Sequence, residues 1–201
     1  MKVIFSDETI IIIEKPAGLL SVPGRGASKQ DSVNSRVQET YPDALIVHRL
    51  DMATSGLMVL ARGKTAHRKL SNQFERGQVQ KSYIAIVHGL VSQETSEINA
   101  PLICDWPNRP KQMVDFDIGK PSQTQFKVIS KGANTTRVEL IPISGRTHQL
   151  RVHMLWVGHP ICGDVLYNPD EYPRLMLHAQ SLAFAHPETG AQMSFASVPD
   201  F

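Results

Sequence analysis

The chain is poor in cysteine and in long apolar runs. Only Cys104 and Cys162 occur among its 201 residues, which is too few for a disulfide framework or a four-cysteine metal site. Two such cysteines are typical of reduced cytoplasmic thiols. The apolar run at residues 10–13 is too short to span a bilayer, and the N-terminus lacks a signal-peptide cleavage pattern. We therefore expect a cytoplasmic protein that does not enter a membrane.

Acidic residues are scarce in one part of the sequence. Between residues 48 and 89 there are seven lysines or arginines and only two carboxylates, Asp51 and Glu75, a net charge of +5. Residues 121–163 contain five cations and one carboxylate, although the whole chain has a net charge of only +2. If the two basic blocks converge on one face they would attract phosphates, and if they do not they are ordinary solvated surface.

The regular alternation of strands and helices that marks a doubly wound fold is also missing. Apolar runs and turn residues predict about eight strands and three or four helices. This pattern indicates an α+β protein with a mixed, mostly antiparallel sheet. The predicted strands are residues 10–14, 57–61, 83–87, 113–118, 123–129, 136–143, 176–185 and 193–196. The predicted helices are residues 31–40, 65–76 and 147–157, the first two capped by Asp31 and Thr65.

The tetrad His48-Arg49-Leu50-Asp51 is the strongest candidate for chemistry. A lone acid among cations is either an ion-pair partner or a carboxylate kept ionised for a reaction. An arginine partner would keep Asp51 charged at physiological pH. That state suits a nucleophile and does not suit a general acid.

A second candidate is the segment 145–153. On a helix that begins near Thr147, His148 and Arg151 lie three positions apart and share a face. Arg146 lies where the helix begins, and a helix N-terminus beside an arginine can bind an anion.

The alternative for Arg151 is a surface ion pair with a nearby acid. Glu139 and Asp164 are the acids closest in sequence, and neither is at helical spacing. The spacing therefore favours a partner distant in the chain.

Tyr83, in Lys81-Ser82-Tyr83, is a third candidate. A tyrosine on a strand is usually a core residue whose hydroxyl finds a partner, so the residue alone favours a structural role.

Motifs for metals and for other enzyme classes are missing. His148 and His153 are five positions apart and no His-Glu-x-x-His motif occurs, so we expect no metal site. Residues 24–29 lack the spacing of a phosphate-binding loop, and no Gly-x-Ser-x-Gly motif is present.

Several motifs in order resemble those of the RluA-type pseudouridine synthases, from about residue 8 to the C-terminus. They are Glu14-Lys15-Pro16-Ala17-Gly18, the tetrad 48–51, Thr54-Ser55-Gly56-Leu57, Lys81-Ser82-Tyr83, Gly145-Arg146-Thr147-His148-Gln149-Leu150-Arg151 and Leu175-Met176-Leu177-His178-Ala179.

This resemblance implies a mixed sheet in two lobes with a central basic cleft, and isomerisation of uridine to pseudouridine in RNA without a cofactor or metal. Many members of this family carry an N-terminal RNA-binding module, but here the first strand motif begins within fifteen residues of Met1. We therefore expect a single catalytic domain over residues 1–201 without that module, acting as a monomer. The sequence is most similar to the branch that modifies a tRNA anticodon stem-loop and a loop of 23S ribosomal RNA.

The resemblance assigns roles to individual residues. Asp51 is the catalytic aspartate, Arg151 its ion-pair partner, and Tyr83 stacks against the target base. Substrate contacts are expected from Arg49, His48, Arg146, His148, Leu175, Leu177, Arg62 and Arg109, and phosphate contacts also from Lys64, Arg68 and Lys111.

Two other classes of function remain to be compared with the isomerase. A non-catalytic RNA-binding protein on the same scaffold would be expected to lack the aspartate or the tyrosine, and both are present. A nucleoside hydrolase needs two carboxylates, and apart from Glu14 in the opening strand the motifs provide only Asp51. Whether Asp51 attacks the sugar carbon or removes a sugar proton stays open.

Overall fold

The computed structural model describes all 201 residues and contains twelve strands and three α-helices. The chain divides into two compact units. Unit 1 comprises residues 1–81 and 178–200, and unit 2 comprises residues 82–177 and Phe201. The α+β class and the mixed, mostly antiparallel pairing predicted from the sequence are confirmed. No helix is both long and apolar enough to cross a membrane.

Unit 1 is built on two buried strands, β2 (Ile10–Lys15) and β4 (Ser55–Arg62), which pair antiparallel. Both read as continuous apolar runs because their inner residues are buried on both faces of the sheet. The other strands of this unit extend the pairing: β1 (Lys2–Ser6) on β2, β3 (Ala44–Ile46) on β4, β11 (Leu177–Ala185) parallel to β4, and β12 (Gln192–Ala196) on β11.

Helix α1 (Val33–Gln38) begins two residues after the predicted start, and the expected cap was wrong. Ser32 caps the helix, because its Oγ accepts a hydrogen bond from the N–H of Ser35 (3.1 Å). Asp31 instead forms an exposed ion pair with Arg36 (2.7 Å). Ser32 and Ser35 each accept a hydrogen bond from the backbone N–H of the other, which satisfies two backbone donors at the start of the helix. Asp31 is therefore not needed as a cap and can pair with Arg36.

Helix α2 (Gly63–Glu75) covers one face of the unit 1 sheet through Ala66 and Leu70. Thr65 was the expected cap, and this was wrong. The helix begins two residues earlier, directly after β4, with Arg62 at the N-cap and no side-chain cap. The tight strand-to-helix junction, rather than a capping side chain, determines where the helix begins.

Unit 2 has an antiparallel sheet in the order β5 (Gln80–His88), β10 (Thr135–Pro142), β9 (Gln123–Lys131) and β6 (Thr95–Asn99). The predicted hairpin of β9 and β10 is confirmed. Two short strands, β7 (Leu102–Cys104) and β8 (Gln112–Val114), form a separate pair. Helix α3 (Gln149–Trp156) begins two residues after its predicted start.

Gly56 positions the segment that follows the tetrad. It has a φ of 114°, and a Cβ at this position would lie 2.3 Å from the carbonyl oxygen of Ala179. Because only glycine allows both this backbone conformation and this close approach, Gly56 permits the parallel pairing of β4 with β11. The turn that carries Asp51 ends immediately before this pair.

Candidate active site

Asp51 lies half-buried at the start of a four-residue turn. The N–H of Thr54 donates to the carbonyl oxygen of Asp51 (3.1 Å) and closes the turn. The preceding residue, Leu50, is bonded twice to Ser21. The hydroxyl of Ser21 donates to the Leu50 carbonyl oxygen (2.7 Å) and accepts from the Leu50 N–H (3.1 Å). The backbone on both sides of the carboxylate is therefore fixed by hydrogen bonds.

Lys15, at the end of β2, makes a hydrogen bond to the backbone of the same turn. Its side chain is fully buried, and its Nζ donates to the carbonyl oxygens of Pro16 (2.9 Å), Leu19 (2.7 Å) and Met52 (2.9 Å). The N–H of Gly18 donates to the same Met52 oxygen (2.8 Å). The turn after β2 and the Asp51 turn are therefore joined through one buried ammonium group.

The ammonium group also contributes to the electrostatics of the site. Burial lowers the pKa of Lys15 to about 8, and the negative charge of Asp51 opposes this change. The sequence predicts only a turn at Lys15-Pro16-Ala17-Gly18 and assigns no role to the Lys15 side chain. The sequence does contain a sign of this role. Lys15 follows four consecutive isoleucines and a glutamate, and a lysine at the end of such a strand has little access to solvent if the strand is central in the sheet.

His48 is bound within unit 1. Its Nε2 accepts a hydrogen bond from the N–H of Val59 (3.1 Å), and its ring stacks on Phe74 with centroids 4.5 Å apart. Burial and the nearby charge of Lys81 lower the pKa of His48 to about 3. His48 is therefore a neutral acceptor that fixes the start of the tetrad, whereas its neighbour Arg49 is exposed. Substrate contact by either residue stays a prediction.

Arg62 also has partners within unit 1. Its Nε lies 3.3 Å from the carboxylate of Asp43, its Nη1 donates to the carbonyl oxygen of Asp7 (2.9 Å), and its guanidinium lies over the Tyr41 ring at 5.4 Å. These contacts hold the end of β4, and an RNA contact by Arg62 stays a prediction.

In unit 2, Arg151 lies on α3 and is 4% exposed. Its Nε and Nη2 donate to the two carboxylate oxygens of Asp164 (2.8 and 2.7 Å). The spacing along the chain favours a distant partner for Arg151 over Asp164, and for this pair that prediction is wrong. The chain turns back after α3 and brings the acid alongside the helix. A guanidinium has five N–H donors, so this pair leaves room for a second acceptor.

Tyr167 links two of the predicted site residues. Its ring lies under the guanidinium of Arg151 at 5.1 Å, and its hydroxyl is 2.8 Å from Nδ1 of His148. His148 has a φ of 54° and is the only residue other than glycine with a positive φ. Backbone strain of this kind occurs often at functional sites. Sequence reasoning missed Tyr167, which lies in no recognised motif.

Gln149 explains why α3 begins where it does. It is buried, and its Nε2 donates to the carbonyl oxygen of Gln123 and to Oγ1 of Thr124, both at 2.9 Å. Its Oε1 accepts from the N–H of Arg146 (3.0 Å). The Arg146 side chain remains exposed and reaches the carbonyl oxygen of Pro121 (3.3 Å).

Four further residues predicted to act in catalysis or substrate binding are also in unit 2. Tyr83 is half-buried on β5, opposite Leu140 of β10. Leu175 and Leu177 are buried. Arg109 is exposed, with its guanidinium 4.5 Å above the ring of Trp106. Asp51 thus belongs to unit 1, and Tyr83 and Arg151 belong to unit 2.

Comparison with known proteins identifies the family. The sequence profile described as RNA pseudouridylate synthase matches residues 9–156. The chain is 52% identical over 206 residues to the dual-specificity RNA pseudouridine synthase RluA of Yersinia pestis, covering 100% of each chain. It is 50% identical over 204 residues to the Escherichia coli K12 protein of the same name, covering 99% of this chain and 93% of the relative.

Solved structures show the same fold. The structure of human RNA Pseudouridylate Synthase Domain Containing 1 aligns with a TM-score of 0.83 at 25% identity, covering 99% of this chain and 83% of that chain. Human RNA Pseudouridylate Synthase Domain Containing 4 aligns with a TM-score of 0.79 at 24% identity, covering 98% of this chain and 88% of that chain, and supports the fold alone.

The chain belongs to the RNA pseudouridylate synthase family. It is therefore an isomerase that acts on RNA, as the ordered motifs predicted. The matched region contains Asp51, Tyr83 and Arg151.

Proposed function

We propose that this protein isomerises uridine to pseudouridine in two kinds of RNA, a tRNA anticodon stem-loop and a loop of 23S ribosomal RNA. Two observations support dual specificity: identity of 50–52% to relatives named as dual-specificity enzymes, and coverage of almost the whole of each chain. The family match crosses from unit 1 into unit 2. This supports a single catalytic domain over residues 1–201, which we propose acts as a cytoplasmic monomer.

Asp51 is the proposed catalytic carboxylate. This assignment rests on the turn that carries Asp51, whose backbone is held on both sides of the carboxylate. Ser21 donates to the carbonyl oxygen of Leu50, and Lys15 donates to the carbonyl oxygen of Met52. A carboxylate that reacts at a sugar must be held in one geometry, because misplacement of a reacting group by about 1 Å can cost about 100-fold in rate.

The reaction breaks the bond from C1′ to N1 of uracil and forms a bond from C1′ to C5. The carboxylate of Asp51 either attacks C1′, forming a bond that breaks when C5 bonds to C1′, or removes a sugar proton that returns to the sugar at that step, and the base turns before the new bond forms. C5 then loses its proton and N1 gains one, and Tyr83 is the proposed residue that stacks on the base during this step. The target base must first leave its stack, which costs roughly a few kcal/mol and least in a loop.

Arg151 is the proposed ion-pair partner of Asp51. An arginine in this role keeps the carboxylate ionised, because it stays protonated at every physiological pH. The bidentate pair with Asp164 and the Tyr167 ring fix the orientation of the guanidinium. Arg49, exposed beside the carboxylate in sequence, is proposed to replace the displaced base in the stack.

Tritium release from transcripts labelled at C5 of uridine tests the assignment. Asp51→Asn should release no tritium while retaining affinity for the RNA. Glu75→Gln, which changes the exposed second acid of the basic stretch, is the matched control and should react at the wild-type rate. Release by Asp51→Asn would exclude the assignment, and free uracil as the product would identify a hydrolase instead.

The targets are tested in cells. Pseudouridine mapping with and without this protein should show the loss of one site in the tRNA anticodon loop and one in 23S ribosomal RNA. Loss at only one class of RNA would contradict dual specificity and leave the chemistry intact. Light scattering of the purified protein tests the monomer.

Phosphate contacts should make the affinity depend on salt. Each phosphate neutralised on a single strand contributes about 0.7 to the slope of log affinity against log salt. The proposed contacts are Arg62, Lys64, Arg68, Arg109 and Lys111, together with Arg49. Replacing exposed Lys64 or Arg109 by glutamine should lower the slope by about 0.7 if each contacts one phosphate.

A further inference from the structure

A cluster of three potential metal ligands lies in unit 2, outside the residues assigned to the reaction. Its first two members are brought together by the backbone. The N–H of His88, at the end of β5, donates to the carbonyl oxygen of Pro160 (2.9 Å), and the N–H of Cys162 donates to that of Ile86 (2.9 Å). These bonds place the imidazole and the thiol at one end of the β5 strand.

Asp170 completes the cluster. One of its carboxylate oxygens lies 2.6 Å from Nε2 of His88, 82 positions away in the chain, and both oxygens accept from the N–H of Gly163 (3.0 and 2.9 Å). Gly163 has a φ of 75°, and a Cβ there would lie 1.8 Å from the carbonyl oxygen of Arg174. Glycine therefore allows residues 164–174 to fold back and present the carboxylate.

We propose that His88, Cys162 and Asp170 form a zinc-binding site. Their ligand atoms all lie within 4.8 Å of one another. Zinc binds thiolate at about 2.3 Å, imidazole at about 2.0–2.1 Å and carboxylate at about 2.0–2.2 Å, usually as a tetrahedron. In that geometry neighbouring ligand atoms are separated by roughly 3.3–3.7 Å. To reach this arrangement, the contact between His88 and Asp170 must lengthen from 2.6 Å.

The chemistry of the ligands selects the metal. A thiolate together with an imidazole favours zinc over magnesium or calcium, which prefer oxygen ligands. Cys162 is fully buried and shares a hydrogen bond with the hydroxyl of Tyr172. Burial raises the pKa of the Cys162 thiol to about 11, so without a metal the thiol is protonated and a poor nucleophile.

The cluster is reachable from solvent. The side chain of His88 is 33% exposed, and Tyr172, whose ring packs edge-on against the imidazole at 5.9 Å, is also exposed. An ion can therefore enter on this side, and the Tyr172 hydroxyl or a water molecule would supply the fourth ligand.

Bound zinc would stabilise the segment that serves the proposed active site. The chain between Cys162 and Asp170 contains Asp164, whose carboxylate orients Arg151. Because the metal would close both ends of this segment, it would restrict the movement of Asp164. The site would therefore be structural, and it supplies no group to the isomerisation.

Cobalt substitution tests the site with tag-free, fully reduced protein from which metals have been removed. One equivalent of Co²⁺ should give a thiolate-to-cobalt charge-transfer band in the near ultraviolet, and Zn²⁺ should displace it. Cys162→Ser should lose the band. Cys104→Ser, which changes the other cysteine, should keep it. A wild-type protein without the band, or a band that survives in Cys162→Ser, overturns the proposal.

A second variant covers the case in which Cys162→Ser fails to fold. Asp170→Asn keeps the shape of the side chain and the oxygen that accepts from Gly163, but it removes the charge. We expect its zinc affinity to fall about tenfold or more, and the rise in melting temperature on adding zinc to the wild type to shrink accordingly. Wild-type affinity should increase with pH, because zinc displaces the thiol proton. Unchanged zinc affinity in Asp170→Asn would overturn the proposed site.

Discussion

Each unit of the protein buries one cation with a role in the proposed site, and the two cations have different hydrogen-bond partners. Lys15 of unit 1 donates to three backbone carbonyl oxygens under the Asp51 turn. Arg151 of unit 2 makes a bidentate pair with Asp164, which is 1% exposed. A compact ammonium suits converging carbonyl dipoles, whereas the planar guanidinium fork matches a carboxylate.

The difference determines how each charge responds to pH. Burial removes the ammonium group of Lys15 from water, and three carbonyl dipoles replace this lost solvation less completely than a carboxylate in direct contact would. The pKa of Lys15 therefore falls to about 8, even with the charge of Asp51 nearby. An arginine cannot be deprotonated in a protein. Unit 1 therefore contains a cation that can lose its charge near physiological pH, and unit 2 contains one that cannot.

The largest effect is expected from Arg151→Met. This change leaves the Asp164 carboxylate buried without its cation, and breaking such a pair costs about 3–5 kcal/mol. Urea unfolding should show the loss, together with a loss of tritium release. The double variant Arg151→Met with Asp164→Asn should recover part of the stability. A double variant no more stable than the single one would mean that Asp164 is not the source of the cost.

Lys15→Met should have the next largest effect. It removes the Lys15 donor from the carbonyl oxygens of Pro16 and Leu19, whereas that of Met52 keeps its bond from the N–H of Gly18. A buried group left unsatisfied costs about 1–3 kcal/mol. We expect a loss of about 2–3 kcal/mol and a fall in kcat larger than any rise in KM, because the Asp51 turn loses its support. Lys29→Met, at an exposed position, is the control. Equal melting of Lys15→Met and wild type would contradict the role of Lys15.

Ser21→Ala should cost less, about 1–2 kcal/mol, since it removes one hydroxyl that makes two hydrogen bonds to Leu50. Chemical denaturation measures this difference. Ser28→Ala, at an exposed position, should be neutral within about 0.5 kcal/mol. If the two alanine variants are equally stable, the Asp51 turn does not depend on Ser21.

The pH dependence gives the smallest effect. The folded-state pKa of Lys15, about 8, lies below its ordinary value of 10.5. Between these values the unfolded state binds more protons than the folded state, so this group makes the protein more stable as pH rises. This contribution is lost as pH falls through 8. Wild type should gain about 1 kcal/mol over Lys15→Met between pH 8 and 9.

Measuring both proteins by urea unfolding at each pH isolates Lys15, because every other titrating group is common to the two. A constant difference between them would mean that Lys15 keeps its proton throughout this range. In that case the three carbonyl oxygens stabilise the charged form of Lys15 enough to keep its pKa above this range.

Strands that are buried along most of their length could be predicted from the sequence, because burial requires a recognisable pattern of apolar residues. The isoleucine run of β2, the apolar run of β4 and the β9–β10 hairpin were predicted within one to three residues. The strands β1, β3, β6 and β7 were missed, because they are short and several of their side chains face solvent. The caps at Asp31 and Thr65 were wrong, since neighbouring residues decide which side chain can reach a helix N-terminus.

The sequence determined the family and the class of reaction, because the residues proposed for the reaction, Asp51, Tyr83 and Arg151, lie in short motifs that follow one another in order. Tertiary structure alone decided the surroundings of these groups. It buried Lys15 beneath the Asp51 turn, returned Asp164 and Tyr167 to Arg151, and brought His88 to Cys162 and Asp170. Hydrogen bonds and ion pairs form between groups that are close in space. When a loop folds back, it brings together residues whose separation along the chain follows no regular pattern, so these contacts cannot be predicted from sequence spacing.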